Sequence, residues 1–227
     1  MTLKMLNTLK KTRQKTPWPT KDVMTQIYEK HLWGGTHHDF YSGDGSHLSE
    51  IVTPYIKAVS AYLKSKNNSL SVCDLGCGDF NIGKQLLAFT SKYIAVDIVE
   101  DLIKRNKSLF KTDKLEFHCL DIVKDMLPKT DCVILRQVLQ HLSNNEIKDI
   151  VKQLPNYKYS IVTEHIPSGH FIPNKNIISG QGIRLKQNSG VDLQAKPFNL
   201  KTNKVKVLDE VVLENGKGII ITMLYAF

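Results

Sequence analysis

The stretch Ser71-Val72-Cys73-Asp74-Leu75-Gly76-Cys77-Gly78-Asp79-Phe80-Asn81-Ile82-Gly83 decides how this chain is read. A short apolar run ends on an acid, two glycines follow with one residue between them, and a segment of helical spacing begins. A run of this length that stops at glycine reads as a buried strand. The glycines let the backbone turn tightly and let a ligand come close, where a Cβ would block contact or forbid a positive φ. A glycine pair alone is a weak signal. It gains force from Asp97, which closes the next apolar run nineteen positions after Gly78. That is near the ~20-residue spacing at which an acid accepts the two hydroxyls of a ribose.

Working outward, apolar runs at 71–75, 93–97, 115–120, 132–136 and 159–164 alternate with helically spaced segments at 82–90, 100–110 and 137–153. Five such β-α repeats predict an α/β fold, a Rossmann-like doubly wound parallel sheet. The C-terminus differs in kind. Residues 204–213 and 218–227 are β-rich and flank Glu214-Asn215-Gly216-Lys217, and Asn-Gly is a strong hairpin signal, so a closing antiparallel hairpin is expected. Residues 1–68 read as an N-terminal cap of helices and loops, with helical spacing over 21–32 and glycine-punctuated loop from Trp33 to Ser46. Residues 69–227 form the core of one compact domain, interrupted by a long loop at 167–199 of the sort that carries function.

The chain has 227 residues, 41% hydrophobic and 23% charged, ordinary for a globular protein. No apolar run approaches the roughly 20 residues of a membrane span. The first fifteen residues, MTLKMLNTLKKTRQK, are basic but lack the apolar core of a secretion signal, so a cytoplasmic location is expected. Cys73, Cys77, Cys119 and Cys132 fall in or beside strand-like runs, read as buried and reduced; no Cys-x-x-Cys pair suggests zinc. The net charge of +9 attracts anions, whether nucleic acid or anionic glycan, but the lysines are dispersed without the interleaved aromatics of a single-strand binding face. A solvated basic surface is the simpler reading.

The ordered motifs over about 70–165 make the chain resemble class I S-adenosylmethionine methyltransferases, whose sheet also closes with a reversed hairpin. The resemblance implies S-adenosylmethionine as cofactor, with S-adenosylhomocysteine as its product. It also assigns residues: Asp74 at the methionine amino end, Gly76 and Gly78 in the turn, and Asp97 on the ribose with Ile98 beside it. Asp121 would meet the adenine amino group while Ile122 packs the ring, and Arg136 and Gln137 would sit where the methionine moiety faces the acceptor. For Asp121, a helix N-cap before 122–126 is an equal alternative. A dinucleotide site is disfavoured because Phe80 and Asn81 stand where its third glycine belongs.

Methyl transfer requires alignment of donor and acceptor and, for a hydroxyl acceptor, removal of its proton. Amino-group methylation of bases or glutamine uses an Asn/Asp-Pro-Pro-Tyr turn where this chain has Arg136-Gln137-Val138-Leu139. RNA ribose methylation commonly uses an aspartate where Arg136 stands. Base-carbon methylation needs a nucleophilic cysteine, and Cys132 lies within its strand. The mouth instead offers His141, a turn beyond the fourth strand, and His165, closing the fifth behind Glu164. Imidazole is the usual base near neutral pH, and Glu164 could raise the basicity of its neighbour. His165 is ranked ahead of His141.

Trp33-Gly34-Gly35, Tyr41-Ser42-Gly43-Asp44-Gly45-Ser46 and the stretch from Arg136 to Asn144 resemble a group of short methyltransferases from bacteria and large DNA viruses, some linked to O-methylation of glycan sugars. An Arg-Asp pair often closes the fourth strand there; Gln137 replaces the acid. The resemblance implies a glycan or small sugar as substrate, with Trp33, Tyr41, Arg184 and Asp192 as candidate contacts. Glu164 and Asp192 alone make a thin magnesium site, so no metal ligands are assigned and dependence on a divalent metal stays open, as does homo-oligomer formation. The leading expectation is a sugar-hydroxyl O-methyltransferase with a histidine base. An RNA or cap methyltransferase, and a non-catalytic subunit of the same fold, are the alternatives.

Overall fold

The computed structural model describes residues 17–35 and 39–227; the basic N-terminal stretch up to Thr16 lies outside them. Seven strands form one sheet: β1 (Ser71–Leu75), β2 (Lys92–Asp97), β3 (Leu115–Cys119), β4 (Cys132–Arg136), β5 (Tyr159–Ile166), β6 (Lys204–Val212) and β7 (Ile219–Ala226). Their order is β3-β2-β1-β4-β5-β7-β6. The first five pair in parallel, while β7 runs antiparallel to both β5 and β6. The chain order reverses between β1 and β4, and in doubly wound sheets ligands bind beyond the strand ends at such a reversal. Asp74 pairs with Ala95, Asp97 with Cys119 and Arg136 with Thr163, so the polar residues that close the strands reach one edge together.

Among the described residues there are five helices: α1 (Thr20–Glu29), α2 (Ser49–Lys64), α3 (Gly83–Leu86), α4 (Glu100–Leu109) and α5 (Asn144–Gln153). The period of two along each buried strand sends alternate side chains into two cores. Cys73, Leu75, Val133 and Leu135 pack with α4 and α5 through Leu102, Ile147 and Ile150. Val72, Cys132 and Ile134 face the other way, against Tyr55, Val59 and Leu63 of α2. α2 is thus a layer of the sheet, whereas Met24 and Tyr28 of α1 reach over the strand ends.

The helical segment expected over 137–153 is split. Gln137 has a left-handed φ of 56°, a short 3-10 turn covers Leu139–His141, and α5 starts only at Asn144. A capping box sets that start: Ser143 accepts from the Glu146 N–H, and the Glu146 side chain accepts from the Ser143 N–H. Residues 82–90 likewise divide into the four residues of α3 and a 3-10 turn, and no helix follows Asp121. The hairpin is present, but Asn215-Gly216 is not a two-residue reversal. A 3-10 turn over Glu214–Gly216 makes the link, closed by the Leu213 N–H to Gly218 O at 2.9 Å. Of the four cysteines, Cys119 is exposed at the end of β3, contrary to the expectation that all are buried. Its strand is an outer one, covered less completely than β1 or β4. Among the described residues no helix is long and apolar enough to cross a membrane.

Candidate active site

A cavity of about 450 Å³ opens beyond the ends of β1, β2 and β4, a size that suits a small organic ligand. Its floor is the turn Gly76–Gly78. Both glycines have positive φ, and a Cβ would stand 2.5 Å from Val138 at the first and 2.3 Å from the Ser42 hydroxyl at the second, so neither tolerates a side chain. Asp97 lines the cavity with its carboxylate held by two backbone donors, Gly78 N–H to Oδ2 and Val99 N–H to Oδ1, both at 3.1 Å. Burial raises its pKa, and those backbone bonds oppose the rise. Ile98, Asp121 and Ile122 also line the cavity. Asp121 Oδ1 accepts from the Val123 N–H at 3.0 Å and Oδ2 pairs with Lys124 at 2.8 Å, so it caps a tight turn rather than a helix.

Asp74 does not reach the cavity lining. Strand alternation turns its side chain to the α2 face, where Oδ2 accepts from the Tyr93 hydroxyl at 2.9 Å, and burial pushes its pKa up to about 7. The expected contact with a methionine amino group is therefore not built. Arg136 lies on the same face, its guanidinium 4.7 Å from the Tyr55 ring centre, and it donates to Gly45 O and Ser46 Oγ. It lines the cavity together with Gln137, and among the described residues Arg136 Nε and Gln137 Nε2 are buried donors without a partner.

The two histidines separate. His165 was ranked first as base, but it is absent from the cavity wall; its Nε2 donates to Lys217 O at 2.6 Å, in the β6–β7 connection. Glu164, its neighbour, points to the opposite face of β5 and accepts from the Leu139 N–H at 3.1 Å. A carboxyl and an imidazole adjacent on a strand face away from each other, so Glu164 cannot tune His165. His141 does line the cavity, with its ring 5.1 Å from that of Trp33. Its Nδ1 lies 3.1 Å from Gly180 O, a pure acceptor, so Nδ1 carries the proton. Its Nε2 lies 3.3 Å from Gln140 Nε2, whose amide is oriented by the His165 N–H on Oε1. Burial lowers the His141 pKa to about 4, which keeps the imidazole neutral.

The four candidate substrate contacts also divide. Trp33 lines the cavity, edge-on to Tyr28 at 5.3 Å. Tyr41 stands behind the wall, stacked on His47 at 4.2 Å with its hydroxyl on Asp44. Arg184 is 1% exposed and saturated by four backbone carbonyls and Asn144 Oδ1, and Asp192 caps its own loop by accepting from the Gln194 and Ala195 N–H groups. Neither lines the cavity.

Sequence reasoning missed the group that seats the cap on the glycine turn. Ser42 and Asp79 exchange bonds, Ser42 N–H to Asp79 Oδ2 at 2.9 Å and Asp79 N–H to Ser42 Oγ at 2.8 Å. His47 Nε2 meets the same carboxylate at 2.6 Å, and the Tyr28 hydroxyl meets Ser42 Oγ at 3.0 Å. Ser42 and Asp79 both belong to quoted stretches, yet nothing in either stretch pairs them across 37 residues. Among the described residues no group of three or more His, Cys, Asp or Glu is placed to hold a metal ion.

Glu164 supplies a stability test. Burial is the largest influence on it and pushes its pKa up to about 8, from an ordinary 4.5. The folded state therefore holds a proton that the unfolded chain releases. This contribution is fully present below pH 4.5 and is lost as pH rises towards 8. Thermal unfolding from pH 4.5 to 8 is expected to show a falling Tm that flattens in Glu164→Gln; the same slope in both proteins would refute the assignment.

Residues 72–157 match the family model described as a methyltransferase domain. No curated protein sequence matches the chain. Among solved structures, the N-methyltransferase NodS from Bradyrhizobium japonicum WM9, in complex with S-adenosylhomocysteine, superposes with a TM-score of 0.63 at 9% identity, over 90% of this chain and 99% of that one. Magnesium protoporphyrin IX methyltransferase from Synechocystis PCC 6803, with bound S-adenosylmethionine, gives 0.58 at 15% identity, over 94% and 100%. The N-terminal domain of EvdMO1, in the presence of S-adenosylhomocysteine and D-fucose, gives 0.54 at 12% identity, over 92% and 97%. The strand order, the reversed β7 and these superpositions give the chain the class I methyltransferase fold, with the methyltransferase-domain family matched over residues 72–157.

Proposed function

We propose that this chain is an S-adenosylmethionine-dependent O-methyltransferase that acts on a sugar hydroxyl, with His141 as the base. One observation carries the reading: a neutral imidazole, protonated on Nδ1, stands on the wall of the cavity whose floor is the glycine turn and Asp97. The residues present fit the cofactor. Gly76 and Gly78 hold a tight positive-φ turn that no residue with a Cβ could adopt, Asp97 suits a ribose, and, among the described residues, the unpartnered donors Gln137 Nε2 and Arg136 Nε suit a carboxylate. When bound, the cofactor supplies an electrophilic methyl group on a sulfonium.

The chain's own part is to align an acceptor oxygen and take its proton. His141 Nε2 holds the lone pair for that proton, and an acceptor hydroxyl would compete with the Gln140 amide for it. Trp33 beside His141 offers the flat face that sugar rings favour, and EvdMO1, of the same fold, was crystallised in the presence of D-fucose. An RNA acceptor finds less support. Among the described residues Arg136 is the one Lys or Arg in the lining, and its guanidinium already donates to Gly45 O and Ser46 Oγ. Incubation with methyl-labelled cofactor and neutral oligosaccharides is expected to label a sugar hydroxyl. Label in RNA with none in any sugar would overturn the reading.

A further inference from the structure

We propose that Arg184 and Glu164 are positioning residues that grip the turn carrying His141, so that the long loop 167–199 sets the orientation and tautomer of the imidazole. The proposal rests on the reading of His141 as the base. Leu139–His141 form a 3-10 turn, followed by Leu142, between β4 and the capped start of α5, and the carbonyls of such short turns lack partners from a continuing helix. Arg184 supplies the partners. Its Nη1 donates to Leu139 O and Gln140 O at 3.3 Å, and its Nη2 to Leu142 O at 2.7 Å and Asn144 Oδ1 at 2.8 Å. Its Nε donates to Lys175 O at 2.8 Å, within its own loop. Five N–H donors thus meet five acceptors, which saturates a guanidinium.

Glu164 holds the same turn from β5 through the Leu139 N–H, and it is 3% exposed. A donor-only group therefore takes the carbonyls of the turn while an acceptor takes its first amide. Burying a charged side chain is costly unless its bonds are complete, and an apolar residue would fill the same volume without that cost. What an apolar residue cannot do is fix the direction of these carbonyls. The loop also reaches the ring itself. Four residues before Arg184, Gly180 pairs with His141 in both directions, Gly180 N–H to His141 O at 2.9 Å and His141 Nδ1 to Gly180 O at 3.1 Å. The ring is otherwise faced by Trp33, the Gln140 amide and the Gln181 backbone, and Arg184 is the charged side chain that acts on it.

The test reads the imidazole without needing an acceptor. Full-length protein labelled with 15N-histidine is titrated by NMR, with His141 assigned from His141→Gln. The wild-type ring is expected to show a single Nδ1–H tautomer and to titrate well below the ordinary histidine range. Arg184→Met is expected to average the two tautomers and move the midpoint up, with S-adenosylhomocysteine affinity within about twofold. Arg184→Lys, which keeps some of the donors, should fall between. Glu164→Leu, which removes the acceptor for Leu139, should shift the ring in the same direction and serves if Arg184→Met does not fold. A wild-type ring with mixed tautomers, or a folded Arg184→Met or Glu164→Leu protein with an unchanged His141, would overturn the proposal. A fixed tautomer in a protein that methylates no sugar would instead remove the proposed acceptor and leave the grip standing.

Discussion

Asp97→Ala is expected to raise the dissociation constant for S-adenosylhomocysteine about 100-fold, measured by calorimetry on the folded variant. Two losses combine. The carboxylate no longer accepts from the ligand, and the Gly78 and Val99 N–H groups, both buried, lose their partner. A hydrogen bond to a charged group contributes about 1.5–3 kcal/mol, and each 1.4 kcal/mol is about tenfold in affinity. The Gly78 bond also shapes the cavity floor, so part of the loss is a less well-formed turn. Asp97→Asn keeps one oxygen acceptor and should lose less. An unchanged dissociation constant in the alanine variant would remove Asp97 from the cofactor site.

His141→Ala is expected to lower methyl transfer to a sugar by about 100- to 10,000-fold, the usual contribution of a positioned general base. Cofactor affinity should stay near wild type, because the groups that fit the cofactor are the turn, Asp97, Arg136 and Gln137. The sign of the pH dependence follows from burial. With a pKa of about 4, His141 is already neutral at pH 7, so the rate should be flat across neutral pH and fall only as acid protonates the ring. His165→Ala serves as the comparison. Its ring bonds to Lys217 O outside the cavity, and transfer should be unchanged. A large loss in His165→Ala with none in His141→Ala would reverse the assignment of the base.

The strand-turn-helix at 71–83, the alternation of strands and helices, and the reversed pair of strands at the end are all legible in the residue pattern. These are local properties. An apolar run, a glycine pair and an Asn-Gly connection each act within a few residues, and period and turn chemistry are enough to read them. Spacing pointed to Asp97 and the family resemblances to Asp121, Arg136, Gln137 and Trp33, and all five line the cavity; the strand-end residues do so because strand ends converge in a doubly wound sheet.

Only the tertiary structure decided which way side chains point and which distant groups meet them. Asp74 stands near the end of its strand as the family resemblance asks, but alternation sends its side chain to Tyr93 and off the cavity lining. His165 stands at a strand end as well as His141 does, yet the connection before β7 takes up its ring. Arg184 looked like a substrate contact because it is a cation in a long loop. Its partners lie more than forty residues back, on carbonyls that no sequence pattern exposes. The local code fixes where a residue sits along an element. Burial keeps the His141 ring neutral, and the bond that holds its proton on Nδ1 comes from a loop that begins only after the fifth strand.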